Sequence, residues 1–233
     1  VAYDSVFDDS DMFACDSLRK VIIPESVEKV VDSRNLLAKT KRAGFKVEDV
    51  IVKSKNMDGN SIGLLATCFN QIEIEKLMKQ FPNQIKKKGG MYISNDNVLV
   101  KYEGEAKNVI IPSYVKEIAD NALYMATVEI VDIPYIVSNF GKNIFELSSV
   151  VKVNLPKNMK TIPEGMFKNC SNLVDVKIPD SVEDIGFYAF KGCKNLKDIT
   201  IPNSVTLIDL SVFENCESLE RIKLPEIVTE IRN

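Results

Sequence analysis

The sequence predicts an α/β repeat protein, a β-rich solenoid of stacked 22-23-residue repeats that carries a helical insertion. Three observations predict this fold: several residue types recur at one fixed spacing, apolar residues alternate within each unit as they do in a strand, and a proline follows each such strand. The residues that recur 23 positions apart are Pro156, Pro179, Pro202 and Pro225; Phe167, Phe190 and Phe213; Cys170, Cys193 and Cys216; and Leu173, Leu196 and Leu219. Such spacing indicates repeats in which each unit buries its apolar face only against its neighbours.

One unit, residues 173–195, shows how the pattern specifies local structure. Val176 and Ile178 alternate with polar residues, as in a half-buried strand. Pro179 then ends the strand, because proline has no N–H to donate and its φ is fixed. The other inward positions predicted for this unit are Leu173, Val182, Ile185, Phe190 and Cys193. We expect these side chains to form a core that only stacked neighbours can complete.

Shorter copies of the unit extend the array toward the N-terminus. Pro134 precedes Phe145, and Pro112 precedes Leu123, at the offset found in the clean copies, but these prolines are 22 residues apart. A further copy, CDSLRKVIIPESVEKV, begins at Cys15. The sequence therefore predicts about seven units, one of them isolated near the N-terminus.

The units divide the chain into three predicted regions: an N-terminal cap and first repeat (1–30), an insertion (31–91) and the repeat array (92–233). Within the insertion we expect short helices in SRNLLAKTKRAGF and SIGLLATCFNQIEIEKLMKQFPNQ, a strand in VEDVIVKS, and a polar turn at KKKGG. The insertion is either a small α/β subdomain or a pair of degenerate repeats whose convex sides have become helical. Both interpretations stay open, since VEDVIVKS aligns with LVDVKIPD of a clean repeat.

The composition is that of a folded chain with a mildly acidic balance of charge. Of the 233 residues, 45% are hydrophobic and 27% are charged, and the net charge is −3. Nucleic-acid binding requires a clustered basic face, so we expect no nucleic-acid partner. The sequence has no run of about 18 apolar residues, so we expect no membrane insertion.

The five cysteines allow either disulfides or free buried thiols. Cys170, Cys193 and Cys216 share one position of the repeat, and stacked α-carbons about 5 Å apart are close enough for a disulfide. Other units place Ser148 and Ala126 there, which indicates a need for small size and favours free thiols in the core. We expect no metal site, because the chain has no C-x-x-C pair and no histidine.

Motifs typical of enzymes are missing from the sequence. The absence of histidine excludes Ser-His-Asp and Cys-His nucleophile systems and removes the commonest general acid–base residue. Neither a G-x-x-x-x-G-K-[ST] phosphate loop nor a G-x-G-x-x-G fingerprint occurs. We therefore predict a protein that is not an enzyme, with no catalytic residues and no cofactor.

The repeat pattern L-x-x-[IV]-x-[IL]-P-x-x-V-x-x-I-x-x-x-[AMV]-F-x-x-C resembles the leucine-rich repeats of BspA-like bacterial and protist surface proteins. The resemblance covers residues 92–233 and 11–30 and implies a leucine-rich-repeat solenoid, and the segment from Tyr92 to Ile118 looks like the hairpin that often opens a repeat block in that family. Members are regarded as cell-surface or secreted proteins that attach to host cells or matrix. The resemblance therefore implies adhesion to a protein or glycan ligand, without catalytic residues to carry over.

The same repeats also suit a different setting. An intracellular scaffold or a protein inhibitor could be built on them, and reduced cysteines fit that alternative equally well. We keep a non-enzymatic protein-interaction module at a bacterial cell surface as the main hypothesis. The chain stops at Asn233, before its last unit is complete, so we expect either further sequence or self-association through the open C-terminal repeat edge.

The predicted strands place two columns of outward side chains on one surface of the array. These columns are charged toward the C-terminus and become apolar toward Ile110 and Ile130, with Tyr135 just beyond Pro134. An exposed aliphatic and aromatic group indicates a contact site, unless the insertion covers it, and both possibilities stay open. The predicted binding residues are Ile110, Ile130, Asp132, Tyr135, Lys152, Asn154, Asp175 and Lys177.

Overall fold

The structure, a computed structural model, describes residues 20–23, 49–52, 57, 61, 79, 85–209, 211–226 and 230–231. Cys15, Cys68 and nearly all of the two predicted helices lie outside the described residues. Ser61 and Lys79 are the only positions of those helices that are described, so the helical insertion is not supported as an element.

Two short strands precede the array, β1 (Lys20–Ile23) and β2 (Asp49–Val52). They pair in parallel, with Val21 opposite Val50 and Ile23 opposite Val52 in the backbone register. These are the partners expected if the two segments are successive units of the repeat. The pairing of these two strands is the one that the degenerate-repeat interpretation predicts.

Three antiparallel strands open the array: β3 (Ile85–Lys88), β4 (Met91–Ser94) and β5 (Val98–Tyr102). The pair β4-β5 supplies the hairpin that the family resemblance implied. The predicted polar turn at KKKGG is wrong for its lysines, which lie exposed in β3. The turn consists of Gly89 and Gly90, whose φ values of 56° and 79° are those that glycine adopts readily.

Each of the six units that follow contributes two strands, one that opens the unit and one that comes after its proline. In chain order they are β6 (Asn108–Ile110), β7 (Glu117–Ile118), β8 (Ile130–Asp132), β9 (Asn139–Phe140), β10 (Lys152–Asn154), β11 (Thr161–Ile162), β12 (Asp175–Val176), β13 (Asp184–Ile185), β14 (Asp198–Thr200), β15 (Leu207–Ile208), β16 (Arg221–Lys223) and β17 (Glu230–Ile231). The opening strands pair in parallel as β6-β8-β10-β12 and β14-β16, which confirms the solenoid and its register. The second strands pair as β5-β7-β9 and β11-β13-β15-β17 and form a second side that the sequence did not predict.

The third side of the solenoid is formed by hydrogen bonds between turns. The N–H of Phe145 donates to the carbonyl of Met166 at 2.9 Å, and the N–H of Phe167 donates to Ala189 at 2.8 Å. Each turn contains two residues with positive φ: Asn121 and Met125, Asn143 and Leu147, Gly165 and Asn169, Tyr188 and Gly192, and Ser211 and Asn215. Because asparagine and glycine tolerate this conformation best, their recurrence here is a requirement of the backbone.

Phenylalanine rings stack along the axis through the core. The centroid distances are 5.5 Å from Phe145 to Phe167, 5.3 Å from Phe167 to Phe190 and 5.6 Å from Phe190 to Phe213, with ring planes within 15° of each other. The first three rings are fully buried, whereas Phe213 is partly buried against the core. In the first unit, Leu123 occupies the phenylalanine position and is buried in the core, as the spacing predicted.

The predicted free thiols are confirmed for the three cysteines of the array. Each thiol donates to the carbonyl of the preceding unit's phenylalanine: Cys170 to Phe145 at 2.9 Å, Cys193 to Phe167 at 3.1 Å and Cys216 to Phe190 at 3.1 Å. Burial raises the pKa of the Cys170 thiol to about 12, and it also raises the pKa of Cys193 and of Cys216. The cysteines therefore link neighbouring units as thiols.

Replacing Phe190 with alanine should lower the free energy of unfolding by about 3–5 kcal/mol, because it leaves a cavity between two stacked rings. The matched change Phe213→Ala should cost less, since that ring is only partly buried. Urea denaturation followed by circular dichroism measures both. A loss below about 1 kcal/mol for Phe190→Ala would contradict the stacked core.

Alkylation by iodoacetamide at about pH 8 should modify Cys216 before Cys170 or Cys193, because burial protects the latter two and keeps them protonated. Mass spectrometry locates the labels, with urea-unfolded protein as the control. Equal labelling rates of the three thiols in folded protein would contradict the buried ladder.

The raised pKa of Cys170 also predicts that stability depends on pH. Since the folded thiol of Cys170 titrates near 12 and an ordinary thiol near 9.0, the free energy of unfolding should fall as the pH rises above 9.0.

Candidate binding surface

The opening strands β6, β8, β10 and β12 form one sheet, which is called the first sheet below. Its outward face brings the predicted binding residues together. One column contains Ile110, Asp132 and Asn154, and the other contains Ile130, Lys152 and Asp175. Lys177 directly follows β12, and Tyr135 lies in the turn after β8. All of the predicted residues therefore lie on four successive units.

The charged part of this face is ordered by ion pairs between neighbouring units. Lys152 Nζ lies 2.8 Å from Asp175 Oδ2, and this hydrogen bond raises the pKa of Lys152. Farther along, Arg221 Nε lies 2.6 Å from Asp198 Oδ1, and this bond lowers the pKa of the Asp198 carboxyl. Solvent screens both pairs, so they orient the side chains more than they stabilise the fold.

A carboxylate and an amide lie side by side between the charged part and the apolar part. The Asn154 amide donates a hydrogen bond to the Asp132 carboxylate across the pairing of β8 and β10. Asn154 is exposed and Asp132 is half-buried. The pair therefore presents hydrogen-bond donors and acceptors to a ligand at one point of the face.

The N-terminal end of the face is apolar and exposed. The side chains of Ile110 and Tyr135 are 71% and 77% exposed, and those of Tyr114 and Ile136 are also exposed. These four residues are called the apolar corner below. Ile130, which was predicted to belong to the same cluster, is half-buried in the sheet and contributes less surface.

The geometry of the turn after each proline explains why the side chains of Tyr114, Tyr135 and Ile136 point outward. The N–H of Val115 donates to the Pro112 carbonyl at 2.9 Å, and the N–H of Val137 donates to Pro134 at 3.1 Å. The two residues between the proline and the valine are the central residues of this turn, and their side chains point away from the core. The next three units place polar residues at these positions: Lys157, Asn158, Asp180, Ser181, Asn203 and Ser204. The fold therefore does not require apolar side chains at the corner.

The sequence analysis missed Tyr114 and Ile136. Alternation separates inward from outward residues only in the strand columns, and of the turn residues only Tyr135 was predicted; both missed residues lie in turns, where no alternation exists. A comparison of the two positions after the proline in successive units would have found them. Both are apolar or aromatic where the later units are polar.

Other chemistry is not supported by the described part of the chain. Among the described residues, no three metal-ligating side chains lie close enough together to hold an ion. The same residues include no helix with the length and apolar character needed to cross a bilayer. The raised pKa values of Cys170 and Cys193 disfavour the thiolate form that a nucleophile needs.

The sequence model of the BspA type leucine rich repeat region matches residues 100–196 and 161–233, with six copies of the repeat. These segments cover more than half of the 233 residues. No curated protein sequence matches the chain.

Several solved structures share the fold. A leucine-rich cell surface protein from Faecalibacterium prausnitzii is 22% identical with a TM-score of 0.61, and the alignment covers 90% of this chain and 60% of that protein. The pneumococcal vaccine antigen PcpA is 16% identical with a TM-score of 0.58, over 88% of this chain and 56% of that one. A leucine-rich repeat protein from Eubacterium ventriosum is 19% identical with a TM-score of 0.54, over 93% of this chain and 57% of that one.

At these identities the likeness is one of fold. The chain spans 60% of the Faecalibacterium prausnitzii structure and 57% of the Eubacterium ventriosum structure. The repeat match adds a sequence signature to the fold, at the residues where the stacked units are found. On this evidence the chain belongs to the family of BspA type leucine-rich repeat proteins.

Proposed function

We propose that this chain is a non-enzymatic interaction module that mediates adhesion at a bacterial cell surface, by binding a protein or glycan of a host cell or matrix. The observation that carries the proposal is the apolar corner, where four apolar side chains of two adjacent units are exposed at one end of the face. The binding surface combines this corner with the neighbouring residues of β8, β10 and β12.

The physical basis is the cost of leaving these side chains in water. Burying a large apolar side chain under a ligand returns about 1.5–3 kcal/mol, so Ile110 and Tyr135 alone supply a useful part of a binding free energy. Exposed tyrosine and aliphatic side chains surrounded by polar residues are typical of the centre of an interface. The ion pairs around them hold the rim in a fixed arrangement.

The proposed surface location rests on two solved structures that share this fold. One structural neighbour is named as a cell surface protein and another as a vaccine antigen. A protein at that location meets host and matrix components first. Its repeat array is also rigid and extended, which suits it to presenting a binding face away from the cell.

A non-enzymatic role follows from the chemistry of the exposed face. Its polar groups include ion-paired cationic side chains and carboxylates, Lys177, which is unpaired among the described residues, and one amide, and they lie in columns along an open sheet. Catalysis needs convergent groups in a site that excludes water. A flat face supports binding better than it supports reaction chemistry.

The double change Ile110→Asp with Tyr135→Asp should weaken binding to immobilised matrix proteins and mucins by more than about tenfold, because it removes both apolar contacts and adds charge. The matched control is Thr200→Asp with Asn203→Asp, which introduces the same charges at the positions equivalent to Ile110 and Tyr135, four and three units away, respectively. Biolayer interferometry measures the affinities, and thermal unfolding checks that both variants fold.

Equal losses in the two variants would show that the apolar corner is not the site. Saturable binding that neither variant changes would have the same meaning. Absence of binding by the unaltered chain to every immobilised ligand would contradict the adhesive function itself.

A further inference from the structure

We propose that the binding surface takes a linear glycan that carries acidic groups, lying along the solenoid axis across the first four units. This inference rests on the adhesive function proposed above and names the chemical class of its ligand. The groups that would contact the glycan are Tyr114, Tyr135, Asp132, Asn154, Lys157 and Lys177.

Two exposed aromatic rings in the turns of adjacent units supply the first reason; Tyr114 is the second residue after its proline and Tyr135 is the first after its own. Tyr114 and Tyr135 lie in the turns of adjacent units and are both exposed. Hydrogen-bonded neighbours in a sheet are about 4.8 Å apart, which is close to the length of one pyranose ring in a chain. Successive sugars of a glycan that runs along the axis would therefore meet successive units, and the C–H face of a sugar packs on an aromatic ring.

The Asp132–Asn154 pair supplies the second reason. One N–H of the Asn154 amide is used by Asp132, which leaves another N–H and the amide oxygen for a ligand. The Asp132 carboxylate adds further acceptor positions beside them. A sugar hydroxyl both donates and accepts hydrogen bonds, so adjacent donors and acceptors next to an exposed ring match a polyhydroxylated ligand.

The distribution of charge indicates that the glycan is acidic. On the strand face, Lys152 and Arg221 form ion pairs with the carboxylates of Asp175 and Asp198, and the Asp132 carboxylate accepts a hydrogen bond from the neutral Asn154 amide but keeps its charge. Lys157 and Lys177 are exposed, and neither has an ion-pair partner in the described part of the chain. Lys157 also occupies, in the next unit, the position of Tyr135. A carboxylate or sulfate on the sugar after the stacked ring would meet this ammonium group.

Asp180 sets the far limit of the acid-binding part. It is exposed and occupies in the following unit the position of Lys157. An acidic group placed there would be repelled. The complementary stretch therefore runs from Tyr114 to Lys177 and spans about four units.

The shape of the surface favours a glycan over a protein partner. The apolar corner is bounded by the Asp132–Asn154 pair on the sheet side and by Lys157 along the axis. A stable protein interface buries about 800 Å² on each partner around a broad apolar centre. A narrow apolar strip with polar groups along one edge fits a polymer one ring wide.

The test is binding of the chain to hyaluronan, to chondroitin sulfate and to neutral dextran of matched length, measured by biolayer interferometry at two salt concentrations. We expect saturable binding to at least one acidic glycan and none to dextran, weakened by salt. The first two probes separate recognition of carboxylates from recognition of sulfates. Tyr135→Ala should weaken binding by about tenfold, the loss expected when one side chain no longer contacts the ligand.

Three further variants test the assignment of charge. Lys157→Gln should weaken binding and reduce its dependence on salt, whereas Asp180→Asn should strengthen binding. The matched control is Lys194→Gln, which removes the same charge from the ion pair with Glu217, away from the surface. We expect no change in that variant. All four changes affect exposed or partly exposed groups, and thermal unfolding checks that the fold is kept.

Outcomes that overturn the inference differ from those that overturn the adhesive function. Binding to matrix proteins or mucins that survives periodate oxidation of their glycans, together with no binding to either acidic glycan, leaves adhesion standing and contradicts the glycan ligand. Equal binding to dextran, or equal losses in Lys157→Gln and Lys194→Gln, contradicts the acidic class. No binding to any protein, mucin or glycan contradicts both.

Discussion

The constraint on which the rest of the structure depends is the register between successive units. Val131 lies opposite Val153 in the first sheet, and on the third side the N–H of Phe145 meets the carbonyl of Met166, at offsets of 22 and 21 residues that advance the chain by one unit. A shift by one residue would turn every inward side chain of a strand outward. Because the sides share one backbone, none can shift alone. Ion pairs such as Lys142–Glu164 at 2.9 Å follow the same step and add specificity to it.

The parts of the fold that could be predicted are those built from inward side chains that recur at the repeat spacing. The first sheet, the phenylalanine stack and the thiol ladder all follow from spacing, since a stacked array places equivalent residues next to one another. The second sheet could not be predicted, because strands of two residues, such as β13, are too short to show alternation. The third side depends on φ, and Tyr188 and Ser211 conceal a left-handed position that Asn143 and Gly165 reveal.

The residues of the candidate site also differ in whether the sequence reveals them as outward. Ile110 lies on a strand, where alternation identifies it as outward, whereas Tyr114 and Ile136 lie in turns, where nothing in a single unit does. The two sides of the array also differ in what they tolerate. An inward substitution disturbs two neighbouring units, as the contact of Phe190 with two rings shows, whereas an outward substitution affects at most an exposed ion pair and leaves the core unchanged. The surface can therefore vary while the core stays periodic.

Departures from the periodic pattern are concentrated in two neighbouring units. The units that begin at Asn108 and Ile130 are 22 residues long. The residue they lack is missing from the corner before the next strand, since Val150 follows Ser148 by two residues whereas Leu173 follows Cys170 by three. The same units carry the apolar corner.

These two units also place Met125 and Leu147 at left-handed positions that later units give to asparagine or glycine, and leave both side chains exposed. A left-handed backbone costs a non-glycine residue about 1–2 kcal/mol, and exposing an aliphatic side chain gains nothing in the folded state. Stability therefore cannot account for the residues that distinguish these units. Contact with a ligand, as proposed above for the apolar corner, is a physical gain that would offset such costs.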